Sequence, residues 1–172
     1  MNEKLDYIFR RRSIRNYTGE MLRPEHFEHL LQAAMAAPSA RCCDPWEFVI
    51  IDNRPALDRL AQLLPNGPFL KECGGAILVC GDLKKAYQES LSYLLQDCTA
   101  ALPNILLAAP ALDLGGCWLG IHPREERISA VRELFTLPAN IIPVGCCALG
   151  FPAAELPPRT RYDLKKIHNN HW

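Results

Sequence analysis

Apolar residues recur along this chain at two spacings that alternate from one end to the other. Spacings of three and four residues, typical of amphipathic helices, occur in four segments of moderate length, and short apolar runs between them predict four strands. The predicted helices cover residues 3–10, 24–37, 55–64 and 123–135, and the predicted strands cover residues 46–51, 76–80, 116–121 and 141–149. Helices that alternate with strands indicate an α/β or α+β sandwich, whose strand order the pattern leaves open.

Prolines mark where several of these elements should begin and end. Pro24 occupies the first turn of a predicted helix, and Pro38 prevents that helix from continuing. Pro55 and Pro123 open two later helices in the same way. Residues 66–68 (NGP) should end the helix that Pro55 opens.

A fifth helical segment, residues 84–109, has almost no polar residue after Asp97. We therefore expect it to lie through the middle of the molecule, at a subunit contact. Pro103 lies inside it and predicts a kink or a break there.

The end of the chain, residues 153–172, is rich in proline and basic residues and only weakly periodic. It finishes with the apolar residues Ile167 and Trp172, so we predict an extended arm that lies on another surface. With 172 residues, the chain is long enough for one domain but not for two. We therefore predict a single domain over residues 1–172, with residues 153–172 as its C-terminal arm.

The composition is that of a globular protein with balanced charge. Hydrophobic residues make up 49% of the chain, and the 19 basic residues equal the 19 acidic ones. A zero net charge argues against a nucleic-acid partner or an acidic partner surface. The first residues lack the apolar core of a secretory signal, and the longest apolar stretch, residues 105–112, is too short to span a membrane. We therefore expect a cytoplasmic protein without a membrane partner.

The eight cysteines include two adjacent pairs, Cys42-Cys43 and Cys146-Cys147. Without a secretory signal we expect reduced thiols, most of them buried as small apolar side chains. No CxxC occurs and no histidine lies at the spacing of a zinc ligand, so we expect no metal site. GxGxxG, GxxxxGK[ST] and HExxH motifs are also absent from the sequence.

Two basic pentapeptides near the ends of the chain carry the chemistry of an anion site. Residues 11–15 (RRSIR) follow the first predicted helix, and residues 157–161 (PPRTR) lie in the predicted arm. Each places arginines next to a hydroxyl group, which supplies forked, permanently charged donors together with a neutral one. Such a donor set is suited to hold a phosphate.

Three further motifs lie between these pentapeptides, namely APSA followed by PW at residues 37–46, GGCWLGI at residues 115–121 and ALGFP at residues 148–152. Taken in this order, the five motifs resemble the nitroreductase family of FMN-dependent oxidoreductases, over nearly the whole chain. The resemblance implies an α+β sandwich with a central mixed, mostly antiparallel sheet flanked by helices. It also implies a domain-exchanged homodimer in which the arm embraces the partner and FMN lies at the subunit interface.

The resemblance further implies which residues bind FMN. The first pentapeptide would serve the phosphate, the ribityl chain and the pyrimidine oxygen, and the second would complete the phosphate clamp, with Arg161 as the firmer choice. The loop at residues 38–40 would lie against the isoalloxazine of the opposite subunit, and the backbone of residues 119–121 would face the ring near N5, where glycine permits close approach. The implied cofactor-binding residues are Arg11, Arg12, Ser13, Arg15, Pro38, Ser39, Ala40, Leu119, Gly120, Ile121, Arg159 and Arg161.

The loop at residues 41–44 departs from the pattern of the family, which usually carries Asn and Gln there. This chain has Cys42 and Asp44 instead. A thiol is a poor hydrogen-bonding substitute for an amide, and aspartate is negative where the amide was neutral. The hydrogen bonds of this loop and the polarity of the substrate side are therefore open.

The resemblance implies an enzyme in which NADH or NADPH reduces FMN, after which a nitroaromatic, quinone or similar acceptor binds in the same slot, with ping-pong kinetics. No side chain would be catalytic, because N5 of FMN carries the hydride transfer. Two alternatives stay open. The chain could run reductive dehalogenation or flavin destruction on the same fold, or it could be a flavin- or thiol-based redox sensor without turnover, as the Cys42-Cys43 pair would permit.

Overall fold

A four-stranded sheet forms the centre of the molecule in the computed structural model, which describes residues 3–172. The strands are β1 (Trp46–Ile51), β2 (Gly75–Asp82), β3 (Gly115–Gly120) and β4 (Ile141–Gly150). Their order in the sheet is β1-β2-β4-β3, and all three neighbouring pairs are antiparallel. An isolated parallel bridge joins Ser13 to Gly116 at the edge of β3. The predicted sheet, mixed and mostly antiparallel, is therefore confirmed.

Helices cover both faces of this sheet. They are α1 (Asp6–Arg10), α2 (Pro24–Met35), α3 (Arg54–Leu63), α4 (Leu91–Ala108) and α5 (Glu125–Leu134). Helix α2 begins at Pro24, as predicted. The side chain of Asn53 caps α3, because it accepts a hydrogen bond from the backbone N–H of Ala56 at 3.0 Å.

Side chains of the central strands alternate between two buried cores. On one face of β2, Ala76, Leu78 and Cys80 pack in a core with residues of α3 and α5. On the other face, Ile77 and Val79 pack in a core with residues of α2 and α4. The predicted sandwich is therefore confirmed.

Helix α4 lies in the interior, as its apolar sequence predicts. It begins at Leu91 and not at residue 84, because Gln88 and Glu89 have φ values of 56° and 48° that an α-helix cannot contain. A kink or a break was predicted at Pro103; the helix continues through this residue, so it is not broken there. Proline removes one backbone hydrogen bond, and burial of the neighbouring turns against the sheet and α2 offsets that loss.

Several predicted strand boundaries also shift, by one or two residues. Strand β2 includes Gly81 and Asp82, which had been expected to end it, because the backbone N–H of Asp82 donates to the carbonyl oxygen of Pro45 at 2.7 Å. Strand β3 begins and ends one residue earlier than predicted.

The two ends of the chain leave apolar side chains uncovered. Leu5 and Ile8, on the predicted apolar face of the first helix, are 43% and 41% exposed. Residues 153–172 are exposed throughout, and Trp172 is fully exposed. The surface on which this arm is predicted to lie is therefore not supplied by the chain itself.

No helix among residues 3–172 is both long enough and apolar enough to cross a membrane.

Candidate functional site

The first arginine-rich loop is fastened along the edge of β3. The backbone N–H of Ile14 donates to the carbonyl oxygen of Gly116 at 3.0 Å, and the Ile14 side chain is buried. The hydroxyl of buried Tyr17 donates to the carbonyl oxygen of Ile14 at 2.7 Å. Burial raises the pKa of Tyr17 well above its ordinary value, so the hydroxyl stays a neutral donor at physiological pH. Tyr17 therefore fixes the loop, a role that no local sequence signal predicts.

Arg11 and Arg15 flank Ser13, which forms the bridge to Gly116 of β3. Burial raises the pKa of Cys117 on β3, and the positive charges of Arg15 and Arg11 act against that rise. The guanidinium of Arg15 also lies 6.0 Å from the centroid of the Phe69 ring. Within residues 3–172, neither arginine forms an ion pair. Two unneutralised cations in one loop are suited to bind an anion.

Arg12, between these two arginines, contacts a different part of the chain. Its guanidinium donates to the carbonyl oxygen of Pro157. Together with Arg10 it lines a cavity of about 680 Å³ whose wall includes residues 154–158. The structure therefore places Arg12 against the base of the arm, and its contact with FMN stays a prediction.

The glycines of β3 differ in the space around them. A Cβ at Gly115 would lie 2.5 Å from Cγ1 of Ile14, so the loop that crosses the strand requires glycine there. A Cβ at Gly120 would have no atom within 4 Å. Gly120 borders a cavity of about 490 Å³, together with Trp118 and His122. The space beside Gly120 is therefore open to a ligand.

The open end of β3 also presents backbone groups. In an edge strand the backbone groups of alternate residues point to the same side, and the carbonyl of Gly116 points outward to the loop. The backbone groups of Gly120 point outward as well, and its carbonyl oxygen accepts from an arginine side chain of α5 at 2.8 Å. Its N–H is left as a donor at the edge. The side chains of Leu119 and Ile121 are buried, so these residues can meet a ligand only through their backbone.

The loop of residues 39–44 departs from ordinary backbone geometry and closes on itself. Arg41, Cys42 and Asp44 have φ values of 56°, 55° and 47°, in the left-handed region. The backbone N–H of Asp44 donates to the hydroxyl oxygen of Ser39 at 3.0 Å, and that hydroxyl donates to the Asp44 carboxylate. Asp44 thus closes the loop where the family carries an amide, whereas the exposed Cys42 contributes no side-chain hydrogen bond within residues 3–172.

Within one chain, this loop is attached to the edge of the sheet opposite β3. It precedes β1, and strands β2 and β4 lie between β1 and β3. Neighbouring strands are about 4.8 Å apart, so three spacings separate the two edge strands by about 14 Å. The contact of Pro38, Ser39 and Ala40 with FMN stays a prediction.

Arg159 and Arg161 lie in the exposed arm. The backbone N–H of Arg159 donates to the carbonyl oxygen of Phe9 at 3.0 Å, which fixes this part of the arm beside α1. No side-chain hydrogen bond or ion pair of either arginine is found in the described part of the chain. The backbone of Arg159 thus lies beside the helix that precedes the first arginine-rich loop, and contacts of the Arg159 and Arg161 side chains with FMN stay predictions.

All eight cysteines are free thiols, and six of them are buried, as predicted. Burial raises the pKa of each buried thiol, to about 12 for Cys80 and for Cys98. Buried thiols with raised pKa values are poor nucleophiles, which leaves Cys42 and Cys43 as the accessible pair. No group of three or more His, Cys, Asp or Glu side chains that could hold a metal ion is found over residues 3–172.

Known proteins resemble this chain over its whole length. A sequence model described as the Nitroreductase family matches residues 8–68 and 64–151. A protein of Archaeoglobus fulgidus named "Putative NADH dehydrogenase/NAD(P)H nitroreductase" is 39% identical, with 100% of each chain covered. The crystal structure of a protein of the same name from Parabacteroides distasonis is 40% identical and has a TM-score of 0.93, again with 100% of each chain covered. An FMN-dependent nitroreductase from Clostridium difficile is 28% identical, with a TM-score of 0.89 over 98% of this chain and 99% of that one.

Proposed function

Because the chain belongs to the nitroreductase family, we propose that it is an FMN-dependent oxidoreductase that uses NADH or NADPH to reduce electron-poor acceptors such as nitroaromatics and quinones. The names of its relatives, NAD(P)H nitroreductase and FMN-dependent nitroreductase, support both the donor and the cofactor. The observation in this chain that carries the proposal is the pair of unneutralised cations, Arg11 and Arg15, in the loop that bridges to one end of β3, the strand whose other end is open.

The residues present fit FMN. A phosphate requires permanent charges with several donors, which Arg11 and Arg15 supply. A flat ring requires a wall from which no side chain projects, and the backbone around Gly120 provides one. The ring also requires a donor at its edge, and the outward N–H of Gly120 is available for it. These three requirements are met along one edge strand.

Bound FMN supplies the redox chemistry, because it accepts a hydride from NAD(P)H and passes electrons on to an acceptor. The residues of the chain would bind FMN and orient it. Arg11 and Arg15 would hold the anionic end of FMN. The N–H of Gly120 fixes the edge of the ring. Since the sequence has no GxGxxG motif for a separate dinucleotide site, the proposal has NAD(P)H and the acceptor enter the same space in turn, which gives ping-pong kinetics.

The proposal includes a domain-exchanged homodimer in which two chains complete each site. The loop of residues 38–40 precedes β1, the edge strand that strand spacing places about 14 Å from β3, so it would serve the partner. Ile167 and Trp172 of the arm are 48% and 101% exposed, which is typical of a surface that another chain covers. Residues 1–172 then form one FMN-binding domain whose arm, residues 153–172, stays beside Phe9 of its own chain at Arg159 and carries Arg161 to the partner. Eight free thiols support a location in the reducing cytoplasm.

The visible spectrum of the purified protein tests the function. After addition of FMN and gel filtration, we expect the protein to retain a flavin absorption band and to consume NADPH when a nitroaromatic or quinone is supplied. A colourless protein that consumes no NAD(P)H with either acceptor contradicts the proposal. Turnover with halophenols under anaerobic conditions, but with neither of these acceptors, would instead indicate a dehalogenase.

Mixed dimers test the shared site. An Arg11→Ala chain paired with an Arg161→Ala chain has one intact site if the two arginines come from opposite chains. It has no intact site if they come from the same chain. We therefore expect half of the sites in the mixed dimer to bind FMN as tightly as the unaltered protein, while each homodimeric variant binds weakly at every site. Weak binding at all sites of the mixed dimer would refute the exchange of the arm.

A further inference from the structure

Two acidic side chains are buried among the described residues, and they differ in how fully they are partnered. Asp82 accepts hydrogen bonds from the Asn140 side chain at 2.7 Å and from the backbone N–H of Lys84 at 3.0 Å. Asp97, on α4, is 4% exposed and accepts one hydrogen bond through Oδ1, while its Oδ2 is buried without a partner within residues 3–172. A buried polar atom without a hydrogen bond lowers folding stability, so the one bond that Asp97 makes requires an explanation.

That bond joins α4 to the loop that precedes β1. The Oδ1 atom of Asp97 accepts from the backbone N–H of Ala40 at 2.9 Å, across 57 positions of the sequence. Ala40 directly precedes Arg41 and Cys42, which hold left-handed φ values of 56° and 55°. Non-glycine residues occupy this region at a cost in free energy, and they persist there when surrounding contacts hold them.

No other hydrogen bond among residues 3–172 ties this loop to the rest of the fold. The bonds between Ser39 and Asp44 close residues 39–44 on themselves and do not connect them to a helix or strand. The two backbone bonds inside the loop, to the carbonyl oxygens of Ser39 and Ala40, are also internal. The position of the loop relative to the fold therefore depends on Asp97.

We propose that Asp97 is a positioning residue that holds residues 39–44 in the conformation required for binding of the electron acceptor. The inference rests on the proposed function, in which this loop lies against the flavin. Leu95 and Thr99, two residues to either side of Asp97 on α4, line the cavity beside Gly120. These two residues lie on the other side of α4 from Asp97, so α4 holds the loop that would serve the partner on one side and borders the open space of its own chain on the other. Loss of the hydrogen bond between Asp97 and Ala40 should weaken acceptor binding more than FMN binding, because FMN is held mainly by Arg11 and Arg15.

The rate of trypsin cleavage after Arg41 tests whether Asp97 holds the loop, because Arg41 is exposed and lies inside the loop. Both with and without added FMN, Asp97→Ala should increase the rate of cleavage after Arg41 about tenfold, since the loop can then leave its folded conformation. Asp97→Asn keeps an acceptor oxygen for the N–H of Ala40, so its cleavage rate should stay within about twofold of the unaltered protein. Asp97→Leu removes both oxygens at similar volume and serves as the test if Asp97→Ala does not fold.

Asn104→Ala is the matched control on the same helix. The Asn104 side chain donates to the carbonyl oxygen of Ala33 at 3.0 Å and ties α4 to α2 without touching the loop. This variant should lower the melting temperature and leave cleavage after Arg41 unchanged. Equal acceleration by Asn104→Ala would show that general destabilisation opens the loop, and would overturn the proposal.

Steady-state kinetics then test whether the hydrogen bond between Asp97 and Ala40 affects binding of the acceptor. In Asp97→Ala we expect KM for a quinone to rise about tenfold, while kcat and the Kd for FMN change less than about twofold, and Asp97→Asn should restore KM. Unchanged KM in a variant whose loop is cleaved faster would overturn the role in acceptor binding. If the unaltered protein binds no FMN, the proposed function fails, whereas the contrast in trypsin cleavage still decides whether Asp97 holds the loop.

Discussion

Replacing Arg15 with Ala removes a guanidinium group that no carboxylate neutralises within residues 3–172. The guanidinium lies 6.0 Å from the centroid of the Phe69 ring, and a cation–π contact of this kind contributes about 0.5–1 kcal/mol at an exposed site. The folding free energy should therefore fall by no more than about that amount. A charge-assisted hydrogen bond to FMN is worth about 1.5–3 kcal/mol. The Kd for FMN should accordingly rise roughly 10- to 100-fold.

Arg11→Ala should weaken FMN by a similar factor with no loss of stability, since no hydrogen bond or ion pair of its side chain is found over residues 3–172. Quenching of FMN fluorescence on titration gives Kd, and thermal unfolding of the protein without FMN gives stability. Added salt should weaken FMN binding to the unaltered protein more than to either variant, because each variant has one charge fewer to screen. Arg59→Ala, exposed on α3, is the control and should change neither quantity. If both variants bind FMN within about twofold of the unaltered protein, the inference from unneutralised charge to anion site is refuted.

Three further outcomes are expected. A thiol reagent at pH 8 should label Cys42 and Cys43 in the folded protein, because burial raises the pKa of the other six thiols. In denaturant it should label all eight cysteines. Rapid labelling of a third thiol in the folded protein would contradict this. Gly115→Ala should destabilise the protein by about 1–3 kcal/mol in denaturant unfolding, since its Cβ would meet the Ile14 side chain at 2.5 Å. Gly120→Ala should be neutral or slightly stabilising, because no atom lies near its Cβ. Equal effects of the two substitutions would refute this argument. The hydrogen bond from Asn140 lowers the pKa of Asp82, so this carboxylate stabilises the fold above about pH 4 and loses that contribution as the pH falls through its folded pKa. Asn140→Ala should therefore lower the melting temperature at pH 7 and reduce its dependence on pH below pH 4, and an unchanged acid limb would count against the assignment.

Elements that depend on local patterns could be predicted from the sequence. Strand β1 covers residues 46–51 as predicted, and α2 begins at Pro24 because proline is suited to a first helical turn. The segment before α4 was predicted wrongly, because its composition favours a helix while the positive φ values of Gln88 and Glu89 prevent one. A kink or a break was expected at Pro103, but buried neighbours on both sides keep the helix continuous. Periodicity therefore identifies an element and its buried face, whereas distant contacts set where the element starts and ends.

The same division applies to the candidate site. Arg11 and Arg15 could be proposed from the sequence, because arginines next to a hydroxyl group form a local signal. Tyr17 and Asp97 could not, since their hydroxyl and carboxyl groups meet backbone groups of Ala148 and Ala40 that are 131 and 57 positions away. Residues that position a site act through such contacts and look like ordinary core or helix residues in the sequence. A fold is needed to find them.

Strand β3 relates the first basic pentapeptide to the glycine-rich motif. Gly115 lets the loop that carries Arg11 and Arg15 pack closely on the strand. Four residues beyond Gly116, Gly120 leaves the edge open, and four residues of extended strand span about 13 Å. A ligand that uses both points would therefore be elongated, with an anion at one end and a flat group at the other. FMN has that form, whereas inorganic phosphate would contact the arginines and leave the open edge unused. The proposed site therefore predicts tighter binding of FMN than of inorganic phosphate.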